Sequence, residues 1–358
     1  MLILALAIAF FFAMNIGASG VAATMGVSYG SGAIKKKWLA LLLVAIAVFL
    51  GAVLGGGEVV KTIGEKVVPA NVLTTNIVVV ILFSATFTLF IANLMGIPLS
   101  TSEVTIGSIV GVGVALQALY VKSILVIVLF WFIVPLAAFV MAFLFGKGIR
   151  MLERRFPSLK DRGKWKKWLG LLVIMTGVLE AFAAGMNNVG NAVGPLVGAG
   201  LIPTRDGMLW GGFFVALGAL VLGSKVLETN GKKITQLTLL QGSAISGTGG
   251  ILVVIASLFG LPVPLTQVTT TAIMGIGTAD HGMVMWKKNI VSQIIKVWLV
   301  SPVVSLVVSY TLMHTVLEPN PYALIAAASV FVSTIGVISL YRTVKKEKRI
   351  LREEGEGI

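Results

Sequence analysis

The sequence predicts an all-α polytopic membrane protein: two inverted-topology repeats with broken helices meeting at a mid-membrane site. Three observations predict it. The 358 residues are 57% hydrophobic and only 12% charged, roughly half the charged share of a soluble chain. The charges leave long gaps: residues 1–34, 38–57, 67–102, 123–146 and 234–279 hold no Asp, Glu, Lys or Arg, and about 20 apolar residues suffice for a spanning helix. Third, short motifs recur in order at a near-constant offset. Barrel strands are short and alternate polar with apolar, so runs of this length exclude a β-barrel.

In chain order, the apolar runs predict spans at 1–33, 38–56, 71–95, 99–118 and 121–146, which form repeat 1 (1–146). The segment 147–167, "KGIRMLERRFPSLKDRGKWKK", carries nine Lys or Arg against two acids; it reads as a basic loop, placed in the cytoplasm by the positive-inside rule. Repeat 2 (168–313) holds spans at 168–201, 207–224, 236–259, 264–280 and 290–313. An additional helix (span 320–342, within 314–342) and a cytoplasmic tail (343–358) follow. Counting spans outward from the basic loop puts the N-terminus outside and the C-terminus inside. Lys35–Lys37, Lys232–Lys233 and Lys287–Lys288 then also fall inside. No basic n-region precedes the first apolar run, so no cleavable signal peptide is expected.

"GASGVAATMG" (17–26) aligns with "GMNNVGNAVG" (185–194), "GGEVVKTIG" (56–64) with "GSKVLETNG" (223–231), and "PLSTSEVTIGSIVGVG" (98–113) with "PVPLTQVTTTAIMGIG" (262–277). Five spans per half is an odd number, so the second copy enters from the opposite side. Inverted repeats of this kind mark secondary transporters, with the site at the repeat interface near mid-membrane.

The net charge of +14 sits between apolar runs, where lipid headgroups account for it, and nucleic acid is not an expected partner. The chain has no cysteine, which removes disulfides, thiolate metal sites and Cys nucleophiles. Two separated histidines lack zinc spacing, and no nucleophile–base pair suggests an enzyme.

Two motifs and their mates carry candidate chemistry. The Gly- and Asn-rich stretches at 15–26 and 185–195 predict helix breaks, since Gly weakens a helix and Asn and Ser compete for its backbone bonds. Freed N–H groups favour an anion and freed carbonyls a cation. The alternative is close helix packing through Gly190-x-x-x-Gly194. The second motif opens helices with Ser100, Thr101, Ser102 and Glu103, and with Thr266, Gln267, Thr269, Thr270 and Thr271. Two facing helix starts rich in hydroxyls form a neutral cage for a tetrahedral oxyanion. None of these motifs contains Lys or Arg, and a buried multivalent anion without a cation is very costly. Either the anion reading is wrong, or a cation travels with the anion. Glu103 and Glu180 are the few titratable groups nearby, which favours sodium over a proton relay.

These four motifs resemble those of the inorganic phosphate transporter (PiT) family, with two "GANDVANA"-like motifs each followed by a "P-x-S-T-[ST]-H"-like motif. Gly185-Met186-Asn187-Asn188-Val189-Gly190-Asn191-Ala192 is close to the pattern; Gly17-Ala18-Ser19-Gly20-Val21-Ala22-Ala23-Thr24 is degenerate. The family Asp is Gly20 and Asn188 here, the family Asn is Ser19 and Ala23, and the family His is Glu103 and Gln267. The resemblance implies an inverted-repeat transporter and a homodimer. It puts phosphate at Ser19, Gly20, Thr101, Ser102, Asn187, Asn188, Thr266 and Thr270. Sodium falls at Asn15, Ala18, Thr24, Glu103, Asn191 and Gln267. No cofactor and no metal beyond sodium is expected.

The expectation is a sodium-coupled symporter that brings inorganic phosphate through a prokaryotic cytoplasmic membrane. A sulfate permease of the same family and a passive anion channel are the alternatives. Phosphate carries a hydroxyl at neutral pH and needs an acceptor; sulfate wants only donors. Glu103 and the side-chain carbonyls of Asn187, Asn188 and Gln267 are acceptors, which favours phosphate.

Overall fold

The computed structural model describes residues 1–94, 99–160, 165–231, 237–282, 289–326 and 328–329. The tail, most of the helix expected at 320–342, and Lys232, Lys233, Lys287 and Lys288 lie outside these residues.

Eleven α-helices are described: α1 (Leu2–Gly30), α2 (Lys37–Gly55), α3 (Gly57–Glu65), α4 (Thr75–Leu94), α5 (Thr101–Ala115), α6 (Val121–Arg155), α7 (Lys166–Gly198), α8 (Thr204–Gly231), α9 (Leu239–Leu258), α10 (Leu265–His281) and α11 (Asn289–Leu312). Among the described residues, eight helices contain stretches long and apolar enough to cross a membrane, and the protein is a multi-pass membrane protein. The uncharged runs dictate this, because a backbone in lipid must bond internally.

The structure corrects three expectations. First, the helix does not break at 185–195: α7 runs unbroken through it, and α1 runs unbroken through 15–26. A glycine costs a helix about 1 kcal/mol. A break in an apolar medium exposes several backbone groups at several kcal/mol each. The glycines instead admit neighbouring backbones. A Cβ on Gly185 would lie 2.0 Å from the Val48 carbonyl oxygen, and one on Gly198 would lie 2.1 Å from that of Gly64.

Second, α5 and α10 are short, 15 and 17 residues, or about 22 and 25 Å at 1.5 Å per residue. The hydrocarbon core is about 30 Å thick. Each packs against its predecessor, α4 or α9, and forms a hairpin with it. The breaks lie at these hairpin tips, where Ser100 caps α5 by accepting from the Glu103 N–H. Replacing two spans by a hairpin leaves the parity of each half odd. Third, residues 147–155 are helical, as the end of α6, and the basic loop is correspondingly short.

Contacts along α6 orient the hairpins. The far end of α5 lies at the start of α6: a Cβ on Gly113 would meet Leu119, and the Tyr120 N–H donates to the Val67 carbonyl. Further along, the Trp131 indole donates to the Pro262 carbonyl at 2.9 Å. Gly275 then abuts the Phe139 carbonyl, and Arg150 donates to the Ala279 carbonyl at 3.0 Å. Hairpin α9–α10 thus lies along the later half of α6 and hairpin α4–α5 reaches its start, so the tips meet between them.

The two halves make matching contacts. α1 packs on α8 and α7 on α2; α5 packs on α11 and α10 on α6. A Cβ on Gly17 would strike the Val215 carbonyl at 1.9 Å, the mate of Gly185 on Val48. Gly218 on Met14 matches Gly51 on Phe182 in the same way. Glu103 and Gln267, themselves mates 164 residues apart, hydrogen-bond to each other. Equivalent residues touch each other only beside the axis that relates them. One departure stands out: α8 is continuous where the first copy breaks at Gly56 into α2 and α3.

Candidate functional site

The two hairpin tips close on the middle of α7. Asn187 and Asn191 are four residues apart and share a helix face; Asn188 stands beside them. All three are buried. The Asn187 amide is fully engaged. Its Nδ2 donates to Ser257 Oγ and to the Leu261 carbonyl, both at 3.0 Å. Its Oδ1 accepts from the Val263 N–H at 3.1 Å and from Ser102 Oγ at 3.5 Å. Asn187 therefore fastens the α9–α10 tip to α7, and Ser102 extends the clasp toward the Val263 carbonyl at 3.2 Å.

Asn191 Nδ2 lies 3.2 Å from both Thr101 Oγ1 and Ser102 Oγ and 3.3 Å from Asn188 Oδ1. Thr101 Oγ1 donates to Asn188 Oδ1 at 3.2 Å. Asn191 Oδ1 is buried without a hydrogen-bond partner among the described residues. Asn188 keeps 6% exposure, and its Nδ2 has no hydrogen-bond partner among the described residues. The junction thus offers one free donor beside hydroxyls already held in place.

On the axis, Gln267 Nε2 donates to Glu103 Oε1. Glu103 is 2% exposed, and its Oε2 makes no hydrogen bond of normal length among the described residues. The pair borders an apolar cavity of about 390 Å³ between α5, α6 and α11, faced by Trp131, Phe132 and Trp298. Along α5 and α11, Gly107 meets Ser305 and Gly111 meets Ser309, each pair one turn further on. Seven residues before Asn187, the fully buried Glu180 accepts from Thr269 Oγ1 at 2.7 Å.

Seven expected site residues are therefore brought together at the tips: Thr101, Ser102, Glu103, Asn187, Asn188, Asn191 and Gln267. The α1 residues turn their polar groups onto their own helix. Asn15 Nδ2 donates to the Phe11 carbonyl at 2.9 Å, Ser19 Oγ to that of Ile16 at 3.0 Å, and Thr24 Oγ1 to that of Gly20 at 3.2 Å. Ala18, Gly20 and Thr266 are half-buried, and a Cβ on Gly20 would meet nothing within 4 Å. Thr270 Oγ1 donates back to the Thr266 carbonyl at 2.6 Å.

Sequence reasoning missed Ser257 and the backbone of Leu261 and Val263. Nothing in composition distinguishes one serine in an apolar helix, and a backbone group leaves no trace in a sequence. The Glu180–Thr269 pair had a signal, an acid inside an otherwise uncharged stretch.

Comparison with known proteins places this geometry. The profile described as the phosphate transporter family matches residues 16–309. A sulfate permease of Bacillus subtilis (strain 168) is 53% identical over 348 residues, covering 97% of each chain. A protein of Pyrococcus abyssi with the provisional name of phosphate permease is 29% identical over 390 residues, 86% of this chain and 96% of that one. A solved structure of a sodium-dependent phosphate transporter superposes with a TM-score of 0.74 at 25% identity, covering 87% of this chain and 98% of its own.

Proposed function

Because this chain belongs to the phosphate transporter family, we propose that it carries a tetrahedral oxyanion across a cell membrane by cation-coupled symport, and that the anion is sulfate. The observation that carries this reading is the 53% identity to a sulfate permease along the whole of both chains. The geometry supports it. The Asn187 and Asn188 carbonyl oxygens already accept from protein donors, and the free group on Asn188 is a donor. Sulfate, which has no proton to give, suits such a site; an unmet acceptor facing it would cost several kcal/mol.

Phosphate is the second reading. It is favoured by the family's description, by the sodium-dependent phosphate transporter of similar fold, and by two buried oxygens without hydrogen-bond partners among the described residues, Glu103 Oε2 and Asn191 Oδ1. In the sulfate reading those oxygens are left for the coupling cation. Sodium suits them, because no Lys or Arg lies at the tips to balance the anion. The membrane is the cytoplasmic membrane of a prokaryote, with the N-terminus outside and the C-terminus inside. The two hairpins gate the site alternately.

Labelled sulfate uptake into proteoliposomes tests both parts. Uptake should need an inward sodium gradient and survive a protonophore. Excess unlabelled sulfate should abolish it, while phosphate and arsenate should not. Competition by phosphate and arsenate with none by sulfate would transfer the assignment to phosphate. Downhill flux without any cation would replace the symporter by a channel.

A further inference from the structure

The end of α10 remote from the hairpin tips borders a second cavity. It is a shallow, open groove of about 660 Å³ lined by Lys147, Arg150, Met151, Arg154, Arg155 and Ala279. Four of the six residues are cationic. They share a side of α6 because positions 147, 150, 151, 154 and 155 are spaced by threes and fours. All four cations are exposed.

Among the described residues, no ion pair balances their charge. The acids closest in sequence turn toward α9: Glu153 Oε1 accepts from Thr238 Oγ1 at 2.8 Å, and Asp280 Oδ2 accepts from Gln241 Nε2 at 2.6 Å. Lys147 stands over the Phe143 ring, 4.5 Å from its centroid. Arg150 holds the Ala279 carbonyl at 3.0 Å, where the end of α10 concentrates partial negative charge.

The groove also sits at a definite level. Lys147 is the first charge after the uncharged run 123–146, and the preceding Leu144 and Phe145 are exposed apolar residues. The basic groups therefore stand where the lipid-facing surface of α6 ends, at headgroup level.

We propose that this cavity binds an oxyanion of the phosphate or sulfate type, supplied either by the headgroup of an anionic phospholipid or by the free anion. The guanidinium groups of Arg150 and Arg154 offer forked donors that match such oxygens, and Lys147 adds a point charge. Arg150 also ties down one end of α10, and the other end carries Gln267 at the hairpin tip. An anion in the cavity thus sits on the anchor of one gate.

The test uses the purified full chain and the Arg150→Gln/Arg154→Gln double variant. Native mass spectrometry measures retention of phosphatidylglycerol against phosphatidylcholine. Thermal melting of delipidated protein compares sodium sulfate, sodium phosphate and sodium chloride at matched ionic strength. A preference for phosphatidylglycerol that falls about twenty-five-fold in the variant, at roughly fivefold per basic group near a lipid surface, assigns the cavity to a headgroup. Stabilisation by sulfate or phosphate that weakens in the variant, with no lipid preference, assigns it to the free anion. Equal behaviour of both proteins in both assays would overturn the proposal. Arg154→Gln alone keeps the Arg150–Ala279 bond and should melt like the parent while losing about fivefold in retention, which separates binding from misfolding. Binding at the hairpin tips is common to all three proteins and cancels, so the result stands whichever anion is transported.

Discussion

Asn187 and Asn188 are neighbours in sequence with different work. Asn187 spends its whole amide on the α9–α10 tip. Asn187→Ala strands the Val263 N–H in a buried place, which costs about 1–3 kcal/mol. Its effect should appear as a lowered melting temperature with or without anion. Asn188 retains a free donor, but its Oδ1 accepts from the Thr101 hydroxyl and the Asn191 amide, so Asn188→Ala should lower melting in anion-free buffer by less than Asn187→Ala does. It should also raise the half-saturating sulfate concentration about ten- to a hundredfold. If the two variants behave alike, the division between clasp and site is wrong. The sequence marks all three asparagines as unusual inside an apolar run, and they do gather with Thr101 and Ser102. It cannot mark the split between them, because that depends on which side of α7 meets the tip, and residues 257–263 decide it from seventy positions away.

At the scale of helices, the glycines sort by what a methyl group would meet. Gly17 and Gly185 each face a backbone carbonyl within 2.0 Å of the added carbon, and a backbone cannot step aside as a side chain can. Alanine at either position should sharply reduce folded protein in the membrane, measured as the monodisperse fraction after detergent extraction. Gly20→Ala, with open space around it, should extract like the parent. Equal yields from all three would show that α1–α8 and α2–α7 do not pack so closely. Helix positions were legible because uncharged runs leave the backbone no other choice. The helix breaks were not: local propensity argued for a break at 185–195, and the price of bare backbone in lipid outweighed it. The hairpins were hidden for another reason. Their arms have the same apolar composition as a crossing, and only α5 and α10 fall short of one, by one or two turns.

For the whole molecule, the orientation proposed above rests on the basic segment at 147–167 and the positive-inside rule. In intact cells an impermeant thiol reagent should label a cysteine placed at position 2 and spare one placed at position 155; the reverse pattern would invert the orientation proposed here. The salt bridge between Lys37 and Glu228, 2.6 Å long and about 40% exposed on both side chains (37% and 45%), joins α2 to α8 and should contribute under about 1 kcal/mol. The meeting of Glu103 with its own mate has a further consequence. If transport exchanges the shapes of the two halves, that contact maps onto itself and survives, whereas the bonds among Thr101, Ser102, Asn188 and Asn191 map onto Leu265, Thr266, Gly20 and Ala23, which cannot make them. Three such bonds at about 1 kcal/mol each tilt the resting population toward the observed arrangement by roughly a hundredfold. The empty protein would then idle almost wholly facing one side, and the bound anion and cation would have to make good the difference before it turned. Restoring amides with Gly20→Asn and Ala23→Asn should bring the two populations nearer to parity, seen as reagent access to tip cysteines from both faces without any substrate present.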